Sequence, residues 1–290
     1  MHRIVDIHPH VISPDTERYR PAPLGGKQSS WSQKHPLTHE DLVAEMDRAG
    51  VEKAVVVQAS TVYGHDNSYV ADAVAAHPDR LTGVFSVDVL ADDAVEKIEH
   101  WRSRGLTGLR LFTAGSTMEG QADWLNDPRS HAAWDHATRT RLPICVQMRP
   151  PGIPLLRDLM ERFPNAIVVI DHLARAVLDD GPRFEASAPL WDLARFPGVH
   201  LKLTVRNIDA AGQGTSTVPD LMDHLMKTYG ADRVAWGSNF PAAERPLPEL
   251  VARAREAVST LPEADQAAIL SGTALKLYPA LATSPAGAEA

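Results

Sequence analysis

Eight short apolar runs recur along the chain, and between them apolar residues repeat at helical spacing. The first run, Ile4-Val5-Asp6-Ile7-His8-Pro9-His10-Val11, alternates apolar residues with Asp6, His8 and His10. Period-two alternation predicts a strand with these three polar side chains on one face. Two imidazoles at i and i+2 lie about 7 Å apart along such a strand, close enough to converge on one metal ion or one substrate. Glu52–Gln58 is almost continuously apolar, as strands covered on both faces are. Further strands are predicted at Leu81–Asp88, Leu106–Phe112, Leu142–Met148, Ala166–Asp171, Val199–Thr204 and Arg233–Trp236.

Helices are expected between them, at Thr38–Ala49, Asn67–Ala76, Asp92–Arg104, Pro128–Thr140, Ile153–Arg162, Ala186–Ala194 and Val218–Tyr229. Two more close the chain at Leu247–Ser259 and Glu263–Lys276. Thr38 caps the first of these and Gly50 ends it. The stretch Ile12–Leu37, with Pro14, Pro21, Pro23, Gly25 and Gly26, reads as a long loop of the kind that covers a binding site. Strands alternating with helices imply parallel pairing through right-handed crossovers, and eight such units close into a barrel. No Gly-x-Gly-x-x-Gly or Walker-type loop follows any strand, which disfavours nucleotide-binding α/β folds. The predicted fold is therefore α/β, a single-domain (β/α)8 TIM barrel over residues 1–280 with a frayed tail at 281–290.

Composition narrows the possible partners. The 290 residues carry a formal net charge of −8, which argues against nucleic acid and anionic membrane. No apolar run approaches the ~18 residues of a membrane span. The single cysteine, Cys145, excludes an intramolecular disulfide and fits a reducing compartment. The chain enters a strand at once, leaving no room for a signal peptide, so a cytoplasmic location is expected.

Chemistry in such a barrel gathers at the C-terminal ends of the strands. Those ends present His8 and His10, Gln58, Asp88, Arg110, Gln147 with Arg149, Asp171 with His172 and Arg175, Lys202 with Arg206, and Gly237-Ser238-Asn239-Phe240-Pro241. Histidines from the first and sixth strands could meet across the barrel, a donor set suited to a divalent ion such as zinc. Arg110, Arg149, Arg175, Lys202 and Arg206 would make the mouth basic on an acidic protein, pointing to an anionic small-molecule substrate held through a carboxylate. Some of these bases would instead pair with neighbouring loops. Asp6 is expected to face the barrel interior and fix His8 or a nearby backbone group. Tyr19, Trp31 and Trp124 are candidates to close over a substrate, though each could equally be loop packing.

The opening Val5-Asp6-Ile7-His8-Pro9-His10, the block Phe163–Leu173, the strand His200–Leu203, Trp236–Pro241 and the closing Leu270–Tyr278 together resemble the amidohydrolase superfamily. The likeness is to its amidohydrolase-related branch, with sugar-lactone and 2-pyrone-4,6-dicarboxylate lactonases. The resemblance implies lactone hydrolysis, with His8, His10 and His172 as ligands of one divalent metal, and a homo-oligomer. Two positions depart from the pattern. Gln147 stands where metal-dependent members carry a histidine, so metal-independent operation is also open. Asn239 stands where the family carries the aspartate that deprotonates water, and a neutral amide cannot be a general base. Asn239 is either a natural departure or an engineered replacement. Proton transfer then falls to His172, with Asp88 as second candidate. Arg110, Gln147, Arg149, Lys202, Arg206, Trp31 and Trp124 remain for substrate. A decarboxylase or lactone isomerase of the same family is the alternative activity, and a degenerate ligand-binding barrel is the alternative of another class.

Overall fold

A computed structural model describes residues 2–282. Eight parallel strands follow one another around a single sheet in chain order: β1 (Val5–Asp6), β2 (Lys53–Val57), β3 (Leu81–Ser86), β4 (Leu106–Phe112), β5 (Ile144–Gln147), β6 (Val168–Ile170), β7 (Val199–Leu203) and β8 (Val234–Trp236). The seam between β8 and β1 is joined by the Ile7 N–H donating to the Trp236 carbonyl at 3.2 Å and the Ser238 N–H donating to the Asp6 carboxylate at 2.8 Å. Helices lie outside the strands, and the architecture is the (β/α)8 barrel expected.

Period-two alternation sorts the apolar residues into two cores. Val55, Val57, Val84, Cys145, Val169 and Ala235 fill the barrel interior, while Ala54, Val56, Ile144, Val168 and Val234 pack outward against the helices. The interior is stopped at its lower end by the last helical segment, through Ala274, Leu277 and Tyr278, with Leu281 beside them. Leu281 belongs to this plug, so order extends past residue 280; the remainder of the expected tail, from 283, lies outside the described residues.

Apart from β4 and β8, the strands stop short of their apolar runs at the C-terminal ends, where the chain turns to build the site. β1 shows this most clearly. It ends at Asp6, and Val5 and Ile7 join the interior cluster, so strict alternation would send Asp6 and His8 the other way. A bend after Asp6 instead brings His8 inward, and the Asp6 carboxylate holds that bend by accepting the His8 N–H at 2.9 Å as well as that of Ser238. Asp6 thus fixes His8 from outside the interior face. The long first loop contains one short helix, Ser30–Lys34, which the sequence pattern does not announce. The expected final helix is broken by a π turn at Ala268–Gly272. Among the described residues, no helix is long and apolar enough to cross a membrane.

Candidate active site

Three imidazoles meet at the upper end of the barrel. The His8 ring lies 4.9 Å from that of His10 and 4.7 Å from that of His172, centroid to centroid. His10 follows the strand end directly, its backbone N–H donating to the Phe240 carbonyl at 2.8 Å. His172 arrives by a less ordinary route. It opens a run, His172-Leu173-Ala174-Arg175, in which all four residues have φ between 50° and 55°. Left-handed backbone at non-glycine residues is costly and is retained where surrounding packing demands it. Here it cancels strand alternation: Asp171 points into the barrel, and His172, which alternation would turn outward, reaches the same interior from above.

The hydrogen-bond partners assign each ring. His10 Nδ1 lies 2.7 Å from the Val57 carbonyl, an acceptor only, so Nδ1 carries the proton and Nε2 the lone pair. Thr204 donates its hydroxyl to Asn207 Oδ1 at 3.0 Å, leaving its oxygen to accept from His172 Nδ1 at 3.1 Å; His172 Nε2 is again a lone pair. His8 is the opposite case. Its Nδ1 lies 2.8 Å from Lys202 Nζ, and that ammonium is also 2.8 Å from Asp171 Oδ1. A charged ammonium can only donate, so His8 Nδ1 accepts and Nε2 bears the hydrogen. His8 Nε2 is buried without a partner.

All three rings are held neutral. Burial pushes His10 and His172 down to about 3 and His8 well below its ordinary value, with the nearby Lys202 and Arg110 charges acting in the same direction. Asp171 runs against its burial, which would raise it: Lys202 and Arg110 bring it to about 2. Arg110 approaches Asp171 Oδ2 with Nε and a terminal nitrogen, each at 3.4 Å, donates to the Gln58 carbonyl at 2.9 Å and also donates to Gln147 Oε1.

Above the imidazoles opens a cavity whose walls include His10, His172, Trp31, Gln147, Asn239 and the cationic pair Arg175 and Arg206. Trp31 stacks on His10 with ring centroids 5.3 Å apart. Of the residues expected at the mouth, His10, His172, Asn239, Arg110, Gln147, Arg206 and Trp31 therefore share this cavity, with His8 beneath it. Lys202 is sealed in the interior, fully buried, where it contacts His8 rather than a bound molecule. Arg149 is absent from the lining, its backbone N–H donating to Gln121 Oε1 at 2.8 Å. Asp88 and Trp124 line a neighbouring cavity, with His65 and Leu90. Tyr19 donates its hydroxyl to Asp72 at 2.6 Å and packs on Tyr69, away from both. Arg175 belongs to the cavity more fully than its place beyond the strand suggests, because the left-handed turn brings it back.

The donor set does not suit a divalent metal. His10 and His172 each offer one lone pair, but His8 presents a hydrogen, and the nearby carboxylate, Asp171, is already paired with the cations Lys202 and Arg110. Zinc sites need three or four deprotonated N, O or S ligands. Among the described residues, no group of three or more His, Cys, Asp or Glu side chains is arranged to hold a metal ion.

Comparison with known proteins places this geometry among relatives. The L-fucono-1,5-lactonase of Burkholderia ambifaria is 28% identical over 212 residues, 70% of each chain. A probable 2-pyrone-4,6-dicarboxylic acid hydrolase of Acinetobacter baumannii, solved with citric acid bound, superposes with a TM-score of 0.74 at 18% identity, over 96% of this chain and 99% of that one. An amidohydrolase of Burkholderia multivorans with bound zinc gives 0.75 at 18% identity, also over 96% and 99%. The 2,6-dihydroxybenzoate decarboxylase from Rhizobium gives 0.70 at 15% identity and the same coverage. At these identities the solved structures speak for the fold. The Amidohydrolase family model matches residues 5–280, from the first strand to the helical plug that closes the barrel, and the chain belongs to that family.

Proposed function

We propose that the protein hydrolyses the lactone ring of a small carboxylated molecule. The observation that carries this reading is the split of proton donors and acceptors at the cavity floor. One imidazole buried beneath the floor, His8, presents an unpartnered N–H; two others, His10 and His172, present lone pairs on rings whose centroids lie 4.9 and 4.7 Å from its own. Ester hydrolysis needs that division: a donor where the carbonyl oxygen becomes an oxyanion, and an acceptor for the proton of the attacking water.

Arg175 and Arg206 would bind the carboxylate, and Trp31 would cover the ring from the side of His10. The His8 Nε2 hydrogen would meet the lactone carbonyl. Water held on His172 Nε2 would attack the carbonyl carbon as its proton passes to that nitrogen. The tetrahedral intermediate would then collapse with cleavage of the ring C–O bond, and the imidazolium would return its proton to the departing alkoxide. A ring held neutral down to about 3 is a weak base, so turnover should be modest. The relatives' names support a cyclic ester as substrate, a neutral sugar lactone in one case and a dicarboxylate in the other; Arg175 and Arg206 favour the anionic kind.

The test is a pH-stat assay of carboxylated and neutral lactones, with carbon dioxide measured in parallel on carboxylated phenols. Acid release from a carboxylated lactone, abolished in His172→Asn, is the expected result. Carbon dioxide release without acid release from any lactone would refute the hydrolase reading.

A further inference from the structure

We propose that Lys202 is a positioning residue that locks His8 as the Nε2–H tautomer and, by doing so, keeps the three-imidazole cluster from acting as a metal site. Lys202 enters from β7, is fully buried, and spans the interior to reach His8. Its three ammonium hydrogens have one strong anionic partner, Asp171 Oδ1 at 2.8 Å, one neutral acceptor, His8 Nδ1 at 2.8 Å, and a weak third neighbour, Cys145 Sγ at 3.9 Å. With Asp171 beside it the amine remains an ammonium, and an ammonium cannot face an N–H. The proton on His8 is therefore driven to Nε2, toward the other two rings.

The surroundings are built for this contact. A Cβ added to Gly237 would lie 2.7 Å from His8 Cβ and 3.4 Å from Lys202 Cδ, so only glycine at the end of β8 leaves room for the two side chains to meet. Asp171 is shared with Arg110, which anchors the carboxylate from the far side and leaves Oδ1 to Lys202. Nothing else among the described residues sets the His8 tautomer: its Nε2 has no partner, and its Nδ1 has no acceptor closer than Asp171 Oδ1 at 3.7 Å. Removing the ammonium lets His8 place its hydrogen on Nδ1, toward Asp171, and turns Nε2 into a third lone pair beside those of His10 and His172. The lysine thus decides whether the cluster is a hydrogen-bonding device or a ligand set.

The experiment reads protonation and metal content, so it is independent of which substrate the enzyme takes. In protein labelled with ¹⁵N-histidine, long-range proton–nitrogen spectra report the tautomer of each ring, and the His8→Gln variant assigns the His8 signals. Wild-type His8 is expected as the Nε2–H form; an Nδ1–H form in the wild type overturns the proposal without any lysine variant. In Lys202→Met, of similar volume and without a donor, His8 is expected to change tautomer. Zinc affinity of that variant, measured by competition with a chromogenic chelator, is expected to rise at least about tenfold over wild type, the scale on which partners of ligating histidines act. A folded Lys202→Met protein whose His8 tautomer or zinc affinity matches the wild type overturns it equally.

Discussion

The neutral imidazole cluster makes a strong statement about acid stability. His10 and His172 bind protons at about 3 in the folded protein, against about 6.5 in an unfolded chain. A folded value below the unfolded one means that stability is full above the unfolded value and is lost as the pH falls below it. Between about pH 7.5 and about pH 4.5 each ring then removes roughly 2–3 kcal/mol, and the two together about 5 kcal/mol. His8, depressed in the same direction, adds to the loss. Asp171 adds little in this window, because its release of stability begins only below the usual aspartate value. Asp6 acts oppositely: burial raises it, so acid relieves a cost there. A loss of several kilocalories per mole is a large part of the 5–15 kcal/mol by which domains are stable, so the protein should unfold in mild acid.

Urea titrations followed by the fluorescence of the six tryptophans give the comparison. The informative control is the double variant His10→Asn, His172→Asn, in which each amide can retain the Nδ1-side hydrogen bond to Val57 or Thr204 without a titrating ring. The wild type should lose about 5 kcal/mol more than this variant between the two pH values. Equal losses would refute the claim that these rings are buried neutral.

Three other outcomes follow from the site. Asn239→Asp places a carboxylate at the cavity wall on a backbone already at φ 58°, a conformation aspartate tolerates, and should raise kcat by about 10²-fold or more if proton removal from water limits turnover; an unchanged kcat would show that another step is limiting. Arg206→Gln and Arg175→Gln should each raise KM for a carboxylated lactone by about 10–100-fold with little change in kcat, and leave KM for a neutral lactone unaltered, as initial-rate kinetics would show. Gly237→Ala drives a methyl against His8 and should cost about 1–3 kcal/mol in urea titrations while lowering kcat far more than KM rises.

The barrel was legible because it is written in repetition. β4 falls at Leu106–Phe112 as its run predicts, and helices such as Ile153–Arg162 follow the 3.6-residue spacing of their apolar face. Part of the candidate site was legible too, because strand ends can be found from the runs: His10, Arg110, Gln147, His172 and Asn239 line one cavity, whereas Asp88, Arg149 and Trp124 stand outside it. Depth was not. Lys202 on β7 and Arg206 in the first turn of the helix Val205–Ala211 stand four residues apart, and nothing in their types or spacing separates a lysine sealed against His8 from an arginine on the cavity wall. That distinction arises from packing across the barrel: Gly237 on β8, Asp171 beyond β6 and Cys145 on β5 surround Lys202, and no local pattern encodes their meeting.

The turn at His172–Arg175 shows why alternation failed at the point that matters most. Four consecutive left-handed residues cost about 1–2 kcal/mol each, and none is glycine, so the conformation is imposed rather than preferred. Leu173 and Ala174 are fully buried, Asn207 donates to the His172 carbonyl at 2.9 Å, and the Ala176 N–H donates to the Leu173 carbonyl at 3.0 Å. These contacts hold the turn against its own preference. What the strain accomplishes is geometric: Asp171, His172 and Arg175 all serve one site, at three different depths. Asp171 anchors the interior cations, His172 sits at the cavity floor and Arg175 on its wall. A strand would have sent the second of these away. Residue-level preferences predict unstrained backbone, and the departure from them falls at the turn that brings His172 and Arg175 to the candidate site.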